Sequence, residues 1–148
     1  MKELTMHNLN LLDKNGNVPS ASGLNWGQHS EKNHTTLDDA YIAVRMNDIQ
    51  ERPDLFKPLN ITKNVNVVWD DNVEMLMSFE GKQDIGPLSY PKQLSVLNNK
   101  SALGVYLKNR MCLPLGTYIT KEHLENYGRT TISVSIGNNE TYYLDFGV

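Results

Sequence analysis

Apolar residues in this chain come in short runs, each closed by a cluster of turn formers, and this punctuation constrains the fold more than any other feature. Ala40-Tyr41-Ile42-Ala43-Val44, Val65-Asn66-Val67-Val68-Trp69 and Leu94-Ser95-Val96-Leu97 are strand-length, with β-branched, aromatic or alternating side chains. Asn15-Gly16, Asp70-Asp71-Asn72 and Gly137-Asn138-Asn139 stand between such runs and suit tight turns with positive φ. Strands are predicted over Leu9–Leu12, Ala40–Val44, Val65–Trp69, Val73–Glu80, Leu94–Leu97, Thr117–Thr120, Thr130–Ile136 and Thr141–Phe146. The strongest helix follows Asn98 or Asn99 as cap. It repeats Leu103, Tyr106, Leu107, Arg110 and Met111 at helical spacing and stops at Pro114. Lys121–Tyr127 forms a shorter helix ended by Gly128, and Asp48–Phe56 a weak one broken at Pro53. The pattern is mostly β with short helices (α+β): about seven strands in an antiparallel barrel or sandwich, with helices at its ends.

A chain of 148 residues suits one domain, 1–148. With 39% hydrophobic and 21% charged residues it has the composition of a packed globule rather than of a disordered chain. The single cysteine, Cys112, excludes an internal disulfide and a multi-cysteine zinc site. Flanked by Met111, Leu113 and Pro114, it reads as a buried, inert thiol. No apolar run approaches the ~20 residues of a membrane span, and the first residues lack a signal peptide's apolar stretch. A cytoplasmic setting is the expectation.

The net charge of −3 argues against a nucleic-acid partner only as a sum. Residues 38–80 carry four cations against nine anions, whereas residues 81–110 carry Lys82, Lys92, Lys100, Lys108 and Arg110 against Asp84 alone. One local basic face on an acidic chain can still bind phosphate, because screening limits distant repulsion to about 8–10 Å.

Catalytic chemistry finds no anchor. A phosphate-cradling glycine loop, a nucleophile elbow and a dinucleotide fingerprint are all missing. Asp38-Asp39 and Asp70-Asp71 are adjacent pairs, which an extended chain points to opposite faces. His29, Glu31 and His34 could in principle hold a metal, but a site needs more ligands at tighter spacing, so no cofactor is expected. What remains is two long polar segments, about 20–39 and 81–93. The first holds Ser22, Asn25, Trp26, Gln28, Lys32 and Asn33; the second holds Lys82, Gln83, Ser89, Tyr90, Lys92 and Gln93. Asn and Gln suit base edges and Lys suits guanine or phosphate. Asn98 and Lys100, at the start of the strongest helix, could add a phosphate site.

The order of elements is strand, polar arm, strand, short helix, hairpin, second arm, strand, helix. This succession resembles the B3-type DNA-binding pseudobarrel. Ser22-Gly23-Leu24-Asn25-Trp26-Gly27-Gln28, Asp39–Val44, Leu103-Gly104-Val105-Tyr106, Asn109-Arg110-Met111, Tyr127-Gly128-Arg129-Thr130 and Tyr142–Phe146 look like the C-terminal domain of NgoFVII/NgoAVII-type restriction endonucleases. The resemblance implies sequence-specific recognition of double-stranded DNA, with two arms gripping the major groove. It also implies a phospholipase-D-type nuclease domain as partner in the parent bacterial enzyme. Neither His29-Ser30-Glu31 nor His34-Thr35-Thr36 supplies that nuclease's His-x-Lys motif, so this chain is expected to be non-catalytic and, by itself, monomeric. Trp26 either stacks at the DNA or anchors its arm. Tyr106, Leu107, Trp69, Leu76 and Phe79 read as core, and Gly104 as a close-packing position. The alternatives are a cryptic metal-dependent activity at His29, Glu31 and His34, and a β-domain binding protein or carbohydrate through the same loops.

Overall fold

The computed structural model describes residues 5–28 and 36–148. Nine strands form: β1 (His7–Asn10), β2 (Ile42–Ala43), β3 (Asn64–Trp69), β4 (Glu74–Glu80), β5 (Gln83–Ile85), β6 (Leu88–Tyr90), β7 (Gln93–Val96), β8 (Thr131–Ile136) and β9 (Tyr142–Asp145). The helices are α1 (Met46–Glu51), α2 (Lys100–Arg110) and α3 (Lys121–Tyr127). A 3-10 segment, Gly23–Gln28, lies between β1 and β2.

Seven strands make one sheet in the order β1-β8-β9-β3-β4-β7-β2. All pairs are antiparallel except β3 with β9. The outermost strands, β1 and β2, come back into contact, so the sheet nearly closes. The pattern of short runs left open a barrel or a sandwich; the sheet forms the pseudobarrel that the resemblance implied. The register places Leu9, Ile42, Val67, Phe79, Leu94, Ile132, Val134, Tyr142 and Leu144 on one face, and all are buried. Phe79 is met edge-on by Phe56 and by Tyr142, at 6.2 and 5.7 Å between ring centres. Trp69 packs on Tyr106 of α2. The seam between β1 and β2 is stapled by Arg45, which donates to the carbonyls of Asn10 and Leu12 at 2.8 and 3.0 Å. His7 reaches from β1 to Asp48 of α1 at 2.8 Å.

Four expectations are corrected. Thr117–Thr120 is not a strand; it runs irregularly into the Thr120 cap of α3. The segment 81–91 is not a plain loop, because β5 and β6 pair across Gly86 as a hairpin. Leu76 is 48% exposed: it sits one step out of phase with the inward Met75, Met77 and Phe79. Cys112 is exposed. It occupies the left-handed position just past the end of α2, at φ 57°, which turns it out of the helix's buried stripe.

Candidate nucleic-acid interface

Both polar segments leave and re-enter the barrel through pinched necks. At the second, the Lys92 N–H donates to the Glu80 carbonyl at 2.8 Å. Gly81 sits so close that a Cβ there would lie 2.9 Å from the Lys92 Cβ, and its φ of +75° favours glycine. At the first, Gly27 donates to the Asp39 carbonyl and Asp39 to the Thr36 carbonyl, at 2.9 and 3.1 Å. A Cβ on Gly27 would collide with the Thr36 carbonyl oxygen.

The two necks flank the same short strand. The first arm returns through Tyr41, whose N–H donates to the Gly23 carbonyl, into β2. Directly after β2, Val44 donates to the Lys92 carbonyl, and the Gln83 side chain donates to the carbonyls of Val44 and Pro91. Tyr41 to Val44 is three residue steps, roughly 10 Å of strand. β2 therefore forms the floor between the arm roots. Beside it a shallow cleft is lined by Pro19, Ser22, Gly23, Tyr41, Ala43 and Arg45.

The local electrostatics follow from which cations are already neutralised. Lys100 pairs with Glu80 at 2.6 Å and donates to Ser95 at 2.9 Å. Lys108 is 0% exposed and held by Asp38 at 2.6 Å. Arg110 donates two hydrogen bonds to the Asp70 carboxylate, at 2.6 and 2.7 Å. Lys82 and Lys92 are exposed and, among the described residues, outside any ion pair; Arg45 is half-buried and also outside any ion pair, its guanidinium bonding only neutral carbonyls. Lys14 shares the groove of Arg45 and Asn47, which Asp13, Asp48 and Glu51 also line. The basic block of the sequence thus reduces to Lys82 and Lys92, and the fold adds Arg45 and Lys14. Arg45 was missed because only closure of the barrel carries it beside the arm roots.

The carboxylate partners respond accordingly. Arg110 holds the Asp70 carboxyl below the usual carboxylate range, against the upward push of burial. At Asp38 burial is the largest single influence and pushes upward, yet the bonds from Lys108 and the Gly116 N–H and the Lys108 charge together outweigh it and hold Asp38 low as well.

The predicted contact residues separate into two groups. Asn25 is removed from the base readers. It is 0% exposed, donates to the carbonyls of Pro19 and Ile119, and accepts the Ile119 N–H at 2.8 Å. Its amide is used up in tying the 3-10 segment to the strandless stretch before α3. Gln28 is likewise engaged, donating to the carbonyls of Leu37 and Gly116. Gln83 braces its own arm's neck, and the Lys100 ammonium is bonded to Glu80 and Ser95. Trp26 packs edge-on against Tyr41 at 5.5 Å. Ser89 donates to Asp84 across the hairpin, and Tyr90 packs against the core. Ser22 faces the cleft beside β2, Gln93 is half-buried at the end of β7, and Asn98 is exposed with φ 60°. Lys32 and Asn33, with His29, Glu31 and His34, lie outside the described residues. Among the described residues no three His, Cys, Asp or Glu side chains converge as a metal site.

The fold and the two-arm geometry agree with a sequence comparison. The family described as the NgoFVII C-terminal B3-like DNA-binding domain matches residues 1–137. The chain belongs to this family. It is a B3-like DNA-binding domain of a restriction-endonuclease type, and DNA is the partner such a domain implies. No curated protein matches the chain. The family match covers both arms, β2 and the helix that joins them, and ends before β9.

Proposed function

We propose that this B3-like domain recognises a specific duplex sequence by placing its two arms in the major groove on either side of β2. One observation carries the reading. The two necks lie roughly 10 Å apart along β2, and three cations that form no ion pair among the described residues, Lys82, Lys92 and Arg45, lie at that strand. The major groove, about 12 Å wide, accepts a two-stranded ribbon such as β5–β6. Lys82, Lys92 and Arg45 meet phosphate and fix the register. Base discrimination then falls to side chains beyond the necks: Ser89 and the hairpin tip in the second arm, and Lys32 and Asn33 in the first. The domain works without cleaving, in the cytoplasm, as the target-recognition half of an enzyme whose nuclease half is a separate domain. By itself it is a monomer.

Selection of bound duplexes from a random pool tests the reading directly. Enrichment of one motif, with plasmid left intact in Mg²⁺, is the expected result. A pool that returns no consensus, or protein-dependent nicking that survives repurification, overturns it.

A further inference from the structure

Three positions of α2 at helical spacing, Lys100, Gly104 and Lys108, meet the returning limb of the first arm. The Lys100 carbonyl accepts the Ala40 N–H at 3.1 Å. A Cβ on Gly104 would lie 1.9 Å from the Asp38 carbonyl oxygen, so helix and limb touch backbone to backbone. Lys108 holds the Asp38 carboxylate. Residues four apart form one stripe along a helix, so α2 is the rail on which the first arm's root is laid. The side chain of Lys100 turns the other way, to Glu80, the residue immediately before Gly81 at the neck of the second arm, with Ser95 of β7 beneath it. One residue thus touches the roots of both arms: the first with its backbone, the second with its ammonium group.

We infer that Lys100 is a positioning residue. Paired with Glu80, it sets the spacing of the two arms and so the fit of the domain to its duplex, without itself touching DNA. This rests on the two-arm reading above. Two consequences separate it from a phosphate contact. A phosphate-binding lysine and a nearby glutamate act in opposite directions, so removing the first weakens binding and removing the second strengthens it. A positioning pair is one device, so losing either member weakens binding, and losing both does no further harm.

The experiment compares Lys100→Met, Glu80→Gln and the double variant on the selected duplex and on an unrelated one, over a series of salt concentrations. A half-exposed pair of this kind supports about a fivefold loss of specific affinity in each single variant. The double variant is expected to show the same fivefold loss. Non-specific affinity and the salt slope stay unchanged, and denaturant melts show each variant folded. Independently of DNA, spin labels at Leu37→Cys and Lys82→Cys in a Cys112→Ser background report the distance between the arm roots, which is expected to broaden in Lys100→Met. A salt slope reduced by about one in Lys100→Met, with tighter binding by Glu80→Gln, would mean a phosphate contact and overturn the inference. So would multiplicative single losses or an unchanged label distance. A parent chain that selects no duplex overturns the two-arm reading instead, while the label distance still reports on the pair.

Discussion

The fully buried ammonium of Lys108 has Asp38 as its counter-ion, and the two are not equivalent. Removing the carboxylate leaves a charge in the interior. Removing the amine leaves a carboxylate that is still 16% exposed and still bonded to the Gly116 N–H. Asp38→Ala should therefore cost about 3–5 kcal/mol, and Lys108→Met, which fills the same space with apolar atoms, markedly less. Urea melts of the two variants check the order; equal losses would refute it. Asn25 makes the companion case. Truncation to Ala strands the Ile119 N–H and two carbonyls, at about 1–3 kcal/mol for each buried group left unpaired. It should lower stability before it alters any base preference. The pH dependence has a definite sign. Asp38 and Asp70 are held below their ordinary value of 3.8 in the fold, so their contribution is complete above that pH and disappears as pH falls through the lowered values. Acid titration of Asp70→Asn should show a shallower loss of stability below about pH 4 than the parent chain. None of these roles is visible in the residue types alone. Asn25 and Gln28 carry the same amide that reads adenine, and only burial and partners tell a brace from a reader.

At the scale of elements, hairpins and helices were legible because their signals are local. Asp71 accepts the Val73 N–H in the β3–β4 turn, and Thr120 caps α3 with Gly128 just past its end at φ 122°. What escaped was set by partners distant in sequence. Thr117–Thr120 has strand-like residues but no strand beside it to pair with. The second arm looked like loop because its strands, Gln83–Ile85 and Leu88–Tyr90, are short and pair only with each other. The hairpin gives an element-scale prediction. Its root is tied down by Gln83, buried Pro91 and the bond from the Leu59 N–H to the Ser89 carbonyl, whereas Gly86, Pro87 and the 44% exposed Leu88 stand free at the tip. Replacing Gly86-Pro87-Leu88 with Gly and Ser should change stability by no more than surface substitutions do, about 0.5 kcal/mol each, while reducing specific binding. Gly104→Ala tests the other arm. Alanine favours the helix itself by about 1 kcal/mol, so any net loss of stability or binding measures the collision with the Asp38 carbonyl.

On the whole molecule, closure of the barrel turns a chain of acidic balance into one with a locally basic edge. The net charge of −3 is distributed so that carboxylates neutralise Lys100, Lys108 and Arg110 within the scaffold, leaving Lys14, Arg45, Lys82 and Lys92 around β2. In the sheet order, β3 and β9 lie across the barrel from β2. Lys63, beside β3 and grouped with Asn139 and Glu140, is therefore a cation on the opposite wall. Only the first face should lose counterions when duplex DNA binds. If all four cations reach phosphate, the logarithm of affinity should fall with the logarithm of salt at a slope of about −3 to −4. The pair of substitutions Lys82→Ala and Lys92→Ala should reduce that slope by about two, and Lys63→Ala should leave it unchanged. A loss of slope in Lys63→Ala equal to that in the lysine pair would move the binding face to the other wall of the barrel. A slope near zero for the parent chain would mean that phosphate is not part of the contact at all.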